Sequence, residues 1–145
     1  ISVGIPVLIP ENYITDLTLR MRLYRRIALL DSQNKIDAFA TEMIDRFGPL
    51  PKEMQNLLET VAIKSLCRQA NIKKIDAGSK GAVITFRDNE FANPAKLIDF
   101  IQNNRETVKI RPDQSLVYMR SWNDPDIRLN GVRVLIKSLI SLLPS

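Results

Sequence analysis

The sequence predicts an α+β fold, with an N-terminal helical part of three helices followed by a small mixed or antiparallel sheet and two further helices. Apolar residues recur at helical spacing from Asp16 to Ala70, and after Asn71 the pattern changes to short runs separated by turn residues. Helices first and mixed elements afterwards are typical of α+β domains. The 145 residues, 45% of them hydrophobic and 26% charged, suit one domain with one core.

The first residues alternate between apolar and other side chains, which is the period of a strand. The alternating apolar positions are Val3, Ile5, Val7 and Ile9. Because Pro6 has no backbone N–H, we expect an edge strand or an extended arm here. Since the chain begins with Ile1 instead of Met, we interpret residues 1–14 as an arm joining a preceding module and residues 15–145 as a single α+β domain.

A first helix is predicted from a cap at Thr15 or Asp16 to about Leu30. Its apolar residues at helical spacing are Leu19, Leu23, Ile27 and Leu30, and Leu17, Met21 and Tyr24 widen the apolar face. The opposite face carries Arg22, Arg25 and Arg26. Arg20 falls inside the apolar face, so we expect it to pair with a carboxylate near the helix crossing.

Two more helices follow, one over about Lys35–Phe47 and one from Pro51 to about Ala70. Gly48 is expected to end the former in a left-handed conformation, and proline is favourable at the first position of a helix. Asn71 is expected to end the latter, since Asn tolerates the left-handed conformation next best after Gly.

The second half of the chain is divided by turn and capping residues. They predict strands over Lys73–Ala77 and Ala82–Phe86 joined by the turn Gly78–Gly81, a helix from Asn93-Pro94 to about Gln102, strands over Thr107–Ile110 and Leu116–Met119, and a helix from Asp124-Pro125. A G-x-x-G run also occurs in RNA-binding KH domains, but there it lies between two helices. We therefore interpret this one as a hairpin turn.

The residue inventory argues against an enzyme. The sequence has no histidine and one cysteine, Cys67, so the commonest general base and any paired cysteine are missing. No phosphate-binding loop of the type G-x-x-x-x-G-K-[ST] occurs. We therefore expect a non-catalytic fragment with no cofactor or metal of its own. With no membrane-length apolar run and no secretion signal, we expect it to be cytoplasmic.

The net charge of +5 is spread along the chain. Residues 1–50 carry six basic and six acidic side chains, residues 51–100 carry eight and six, and residues 101–145 carry seven and four. A nucleic-acid-binding domain usually gathers its charge on one face. We favour a solvated surface, and a basic module that contacts DNA or RNA directly stays open as the alternative.

The run from Glu42 to Pro51 is the most distinctive part of the sequence. Its glycine and prolines are explained by the end of one helix and the start of the next, but Glu42, Asp45 and Arg46 are not. Glu42 and Asp45 are three residues apart and share a helix face. They either pair with an arginine of this chain or present an acidic spot to an arginine of a partner.

Three blocks of sequence resemble the C-terminal domain of the bacterial transcription-repair coupling factors (Mfd proteins). They are Ile9–Ile14 leading into Arg20 and Tyr24–Ala28, the run Glu42–Pro51, and Asn71–Ile75 followed by Lys80–Phe86. The resemblance is strongest up to about Pro94, and its most specific piece is I-D-R-F-G-P-L-P. Members of the family commonly have Gly where this chain has Asn71, which can serve the same helix stop.

The resemblance implies a role inside a larger protein. Members of the family are ATP-driven DNA translocases that remove stalled RNA polymerase from damaged DNA and recruit nucleotide excision repair through UvrA. ATP and Mg belong to their motor domains, which lie N-terminal to this segment. The terminal domain is implied to be regulatory and autoinhibitory: it packs on the UvrB-like N-terminal module of the same chain and masks the surface that UvrA needs.

From the resemblance and its placement, Glu42 is expected to face an arginine of the UvrB-like module. Asp45 and the exposed part of the arginine face, Arg22 and Arg25, are expected to support that contact. No site is expected after Trp122, where the resemblance fades. An autoinhibitory domain of this kind has to bind the UvrB-like module and still release it, which requires a modest, polar and partly ionic interface. A basic module on DNA would instead bind less tightly as salt rises.

Overall fold

The structure, a computed structural model, describes residues 1–143 of the chain. These residues divide into two compact units. Ile5–Ser65 forms one, which we call the helical unit, and Ile1–Gly4 together with the chain from Leu66 onward forms the other, the sheet unit. The predicted division into an arm over 1–14 and a domain over 15–145 stays a prediction, and its last two residues lie outside the described part.

The helical unit contains α1 (Leu17–Ala28), α2 (Gln33–Phe47) and most of α3 (Lys52–Gln69). The helix starts follow from local chemistry. The carboxylate of Asp16 accepts hydrogen bonds from the backbone N–H groups of Thr18 and Leu19, as expected of a cap. Ser32 caps α2 through the N–H of Lys35, so this helix begins two residues before the predicted start.

Helix ends in both units use positive φ angles. Gly48 closes α2 with φ at 93°, and its N–H donates to the carbonyl of Ile44. Asn71 follows α3 with φ at 57°, and its side-chain amide donates to the carbonyl of Glu90 at 2.9 Å. Both helices thus stop at the predicted residues, but the ψ of Gly48, −172°, lies outside the left-handed helical region. α3 itself begins at Lys52, one residue after the predicted position.

The sheet unit contains four strands and two helices. They are β1 (Ile72–Gly78), β2 (Gly81–Phe86), α4 (Pro94–Asn103), β3 (Val108–Ile110), β4 (Leu116–Met119) and α5 (Pro125–Ser141), with a short 3₁₀ turn at Arg87–Asn89. The strands form one antiparallel sheet in the order β1-β2-β4-β3. The α+β prediction, the hairpin at Gly78–Gly81 and the second strand pair are confirmed.

Each unit buries its own apolar residues. In the helical unit one cluster of buried apolar residues contains Ile9, Ile14, Leu23, Ile27, Ile36, Phe39, Met43, Met54, Leu58 and Ala62. In the sheet unit the largest fully buried side chains are Ile75, Ile84, Leu116, Val108, Val132, Leu135, Ile136 and Leu139. α5 contacts β1 and α4 contacts β3. On α5, Val132, Leu135, Ile136 and Leu139 are buried and Ile140 is half-buried.

Of the two alternatives predicted for the first residues, an edge strand or an extended arm, the strand does not form. Only Ser2 pairs with the sheet: its N–H donates to the carbonyl of Ile75 at 2.9 Å, and its carbonyl accepts from the N–H of Ala77 at 2.7 Å. Gly4, with φ at 66°, turns the chain out of the extended line, and Pro6 has no N–H to continue a ladder. The alternation nevertheless marks Val3 and Ile9, which are buried.

The apolar face of α1 is narrower than predicted. Leu17 is 61% exposed and Met21 is 47% exposed, whereas Leu23 and Ile27 are buried. Arg20 was expected to pair with a carboxylate, and this is wrong. Its Nη1 donates instead to the backbone carbonyls of Ile14 and Thr15, at 2.8 and 3.3 Å. The chain just before α1 therefore provides the polar partners, and no burial of an ion pair is needed.

Candidate protein-interaction surface

The packing of α1 and α2 places the predicted charged residues. Leu23 and Ile27 of α1 and Phe39 and Met43 of α2 belong to one buried cluster. One turn along α2 from Phe39, Glu42 lies at the margin of that cluster with its side chain 37% exposed. The apolar stripes of the two helices thus bring an arginine of α1 within reach of a carboxylate of α2.

Glu42 is held by two arginines. Nη1 of Arg26 donates to Oε2 of Glu42 at 2.7 Å, and Nη2 of the same arginine donates to Oε1 at 2.8 Å, which is the bidentate geometry of a strong charge-assisted pair. Nη1 of Arg46, one turn further along α2, donates to Oε2 at 3.3 Å. We call these three residues the arginine–glutamate cluster. The hydrogen bonds from Arg26 lower the pKa of Glu42 to about 2.

Both guanidinium groups also lie over aromatic rings. Arg26 is 5.0 Å from the ring centroid of Phe39, and Arg46 is 4.9 Å from that of Phe47. A cation over an aromatic face gains attraction from the ring quadrupole. Because the arginines are about half exposed, at 47% and 48%, solvent screens their pairing, and the cluster orients side chains more than it stabilises the fold.

The end of α2 is fixed from the other side by Tyr13. Its hydroxyl donates to the carbonyl of Gly48 at 2.7 Å and lies 3.2 Å from that of Met43. Its ring meets the ring of Phe47 edge-on, with centroids 5.9 Å apart, and burial raises the pKa of Tyr13. This anchor holds the last turn of α2, the turn that presents Asp45 and Arg46.

The other predicted residues lie on the surface. Arg22, Arg25 and Asp45 are exposed, and within residues 1–143 they make no side-chain hydrogen bond or ion pair. Arg22 lies one helical turn before Arg26 on α1, so it belongs to the same face as the cluster. Of the four predicted site residues, Glu42 is thus the only one with a charged partner in the described part of the chain. Its partners are Arg26 and Arg46.

Sequence reasoning grouped Arg26 with its neighbours but did not identify it as the partner of Glu42. The arginine face was visible from helical spacing, yet which arginine meets α2 depends on where the two helices cross. Arg46 had a local signal, since it stands four residues after Glu42, the spacing at which glutamate and arginine pair on a helix. Whether Glu42, Asp45, Arg22 and Arg25 contact a partner stays a prediction.

Comparison with known proteins decides the family. The model of the TRCF domain matches residues 3–97, which is more than half of the chain. The chain belongs to the TRCF domain family. The match to this family spans the helical unit and the β1–β2 hairpin, so it contains every predicted site residue, while β3, β4 and α5 lie beyond it.

Relatives of this TRCF domain are transcription-repair-coupling factors. That of Rickettsia conorii is 41% identical over 135 residues, and that of Escherichia coli is 28% identical over 139 residues. The alignments cover 93% and 96% of this chain but only 12% of each relative. The chain therefore spans about an eighth of the length of the relatives it matches. The resemblance read from the sequence is confirmed.

A solved structure shares the fold. The crystal structure of the C-terminal domain of a transcription-repair coupling factor superposes with a TM-score of 0.79, covering 97% of this chain and 91% of the other at 21% identity. In the described part of this TRCF domain no group of three or more acidic or cysteine side chains is placed to hold a metal ion. Within the same residues, no helix is both long and apolar enough to cross a membrane.

Proposed function

We propose that this TRCF domain is a non-catalytic, autoinhibitory domain, which docks in cis on the UvrB-like N-terminal module of its parent protein and masks the surface that UvrA needs. In this proposal the parent is an ATP-dependent DNA translocase. Its motor domains use ATP and Mg to remove stalled RNA polymerase, and it recruits nucleotide excision repair. The observation that supports docking most is a group of exposed charged residues beside the ordered arginine–glutamate cluster. They are Arg22, Arg25 and Asp45, and none of them has a side-chain partner in the described part of the chain.

This surface has the composition of a reversible interface. It presents exposed charges of both signs, Arg22, Arg25 and Asp45. A partly ionic contact of modest area binds weakly, but a tether to the partner raises the effective concentration and makes weak contacts sufficient. Masking is then a two-state equilibrium, and any ligand that favours the released state shifts it.

The hydrogen bonds of the cluster support different roles for Glu42 and Asp45 in this proposal. A carboxylate offers about four acceptor positions, and the arginines of the cluster occupy three of those of Glu42. Glu42 can accept one more hydrogen bond from a partner arginine, while it orients Arg26 and Arg46 toward partner carboxylates. Asp45 is the carboxylate whose acceptor positions are all open to a partner. We therefore propose Asp45 as the main acidic contact and Glu42 as a contact that also positions the arginines.

The test is calorimetry of this chain with the separately expressed UvrB-like module, at low and at physiological salt. We expect saturable binding that UvrA competes away. Asp45→Lys is expected to weaken binding roughly tenfold, because an attraction between opposite charges becomes a repulsion between like charges. Asp99→Lys is the matched control, because Asp99 is an exposed aspartate on α4 outside the proposed surface.

Two results contradict the proposal. If Asp45→Lys and Glu42→Ala both bind like the parent chain, the residue assignment is wrong. If the module does not bind and duplex DNA does, with an affinity that falls linearly with the logarithm of salt concentration, the direct DNA contact is the better description. A contact that depends on the tether is too weak to detect between separate fragments. The same variants are therefore also compared for UvrA binding in the full-length protein.

A further inference from the structure

A groove of about 1090 Å³ lies on the sheet unit, where the β1–β2 turn meets the end of β4. Its lining comes from the turn, from the adjoining ends of β1 and β2, from β4 and the residues after it, and from Arg111. None of these residues belongs to the surface proposed above, and Arg111 and the β4 segment lie beyond the family match. The groove is therefore a separate feature of this chain.

Backbone geometry forms one end of the groove. Gly81 has φ at 125°, and a Cβ built on it would fall onto the carbonyl oxygen of Tyr118, so only glycine fits where β2 begins. The turn is held in place by two hydrogen bonds from the segment after β4. The N–H of Arg120 donates to the carbonyl of Lys80 at 3.0 Å, and that of Trp122 donates to the carbonyl of Ser79 at 2.7 Å.

The floor of the groove is aliphatic. Val83 of β2 is the cross-strand partner of Val117 of β4, and both are half-buried. Their neighbours Ile84 and Leu116 are fully buried, so the two valines belong to the opposite face of the sheet. Met119, which is 39% exposed, extends the same row along β4. The floor can thus take apolar side chains of a ligand that lies along the sheet.

The rim of the groove is basic. Lys80, Arg111 and Arg120 line it, against one acidic residue, Asp76, which pairs with Lys74 at 3.4 Å. Arg120 is already ordered: its guanidinium lies 4.4 Å from the ring centroid of Tyr118, and its Nη1 donates to the carbonyl of Met119 at 3.2 Å. An ordered guanidinium loses less conformational entropy when it binds a carboxylate.

We propose that this groove binds an extended segment of a partner protein that is rich in Asp and Glu and carries aliphatic side chains. The basic rim complements the carboxylates, and the valine floor complements the aliphatic side chains. A single-stranded nucleic acid fits less well, because its bases need exposed aromatic rings for stacking. Tyr118 is the one aromatic residue of the lining, and Arg120 lies over its ring.

Amide NMR of the 145-residue chain tests the proposal, with a synthetic peptide of alternating Glu and Val residues as the probe. We expect saturable shifts at the amides of residues 78–83 and 117–123. Peptides in which Gln replaces Glu, or Ser replaces Val, are expected to bind at least about tenfold more weakly, since each removes one of the two complementary features. An oligothymidylate serves as the nucleic-acid probe.

Variants of the chain connect the shifts to the groove. Lys80→Glu combined with Arg120→Glu is expected to lower the affinity for the peptide roughly tenfold or more, since two attractive contacts become repulsive. The matched control is Lys96→Glu combined with Lys137→Glu, which reverses two exposed charges on α4 and α5 outside the groove. Because no residue of the helical unit is changed, these outcomes are independent of the docking on the UvrB-like module.

Several outcomes would overturn this inference. They are an absence of shifts, shifts confined to other residues, equal binding of the peptide in which Ser replaces Val, and saturable binding of oligothymidylate without binding of the acidic peptide. The last result would assign the groove to nucleic acid instead.

Discussion

Glu42 joins two helices through one carboxylate, which accepts hydrogen bonds from Arg26 on α1 and Arg46 on its own helix. The two arginines are in turn placed over Phe39 and Phe47. Helical spacing showed both the arginine face and the acidic pair, but not which residues meet. That depends on how α1 and α2 cross, a property that one sequence does not contain.

The cluster predicts how stability depends on pH. The pKa of Glu42 falls from 4.5 to about 2 on folding, so its ionised form stabilises the fold fully above about pH 4.5, and this contribution is lost as the pH falls toward about 2. We expect Glu42→Gln to remove that part of the pH dependence. Urea midpoints measured across this range check it, with Glu11→Gln, an exposed carboxylate of the same unit, as control. Parallel curves for the parent and Glu42→Gln would contradict the assignment.

Cys67 gives a second prediction at this scale. The side chain is buried, and desolvation raises the pKa of its thiol to about 11. Since the thiolate is the reactive form, we expect no alkylation by iodoacetamide in the native chain at about pH 8 and complete alkylation in urea. Mass spectrometry measures both. Rapid modification of the native chain would show that the thiol is open to solvent.

Helix ends were the elements most readily predicted, because their chemistry is local. Asp16, Gly48, Asn71, Asn93 and Asp124 all lie at the helix boundaries expected of them. The strand predicted at the start of the chain failed because a strand needs a partner. Of the four alternating apolar residues only Val3 and Ile9 are buried, and the pattern did not show that only Ser2 would pair with the sheet.

Gly48 provides a test at the scale of elements. With φ at 93° and ψ at −172°, it lies in a region open to glycine alone, although space around it is free. We expect Gly48→Ala to cost about 1–3 kcal/mol in the free energy of unfolding, and Gly48→Asn not to relieve this, since ψ lies outside the left-handed helical region. Urea unfolding measures the loss. The control is Gly78→Ala, where φ is ordinary and space is also free; equal losses for the two alanine variants would refute the backbone explanation.

The molecule consists of two units. The sheet unit is discontinuous in sequence, since residues 1–4 belong to it although the rest of it begins at Leu66. Arg128 makes this connection. It is buried on α5, its Nη1 donates to the carbonyl of Val3 at 2.8 Å, and its Nε donates to the carbonyl of Trp122 at 3.1 Å. No pattern in the sequence indicated this role, because an arginine on an amphipathic helix usually lies on the exposed face.

Arg128→Met is therefore expected to weaken the attachment of the first residues. It leaves two carbonyls without their donor, which costs about 1–3 kcal/mol in the free energy of unfolding. Hydrogen exchange at the amides of Ser2 and Ala77 should accelerate, since their hydrogen bonds join this segment to β1. Lys137→Met, an exposed position on the same helix, is the control. Unchanged exchange at both amides in the Arg128 variant would show that Ser2 holds the segment without it.

The hydrogen bond between Val3 and Arg128 spans 125 residues. A ribosome adds about 5–20 residues per second, so Val3 waits roughly 6–25 s after its synthesis before Arg128 exists. The whole of Ile5–Ser65 is made during that interval. The helical unit can thus fold while Val3 still lacks its partner on α5.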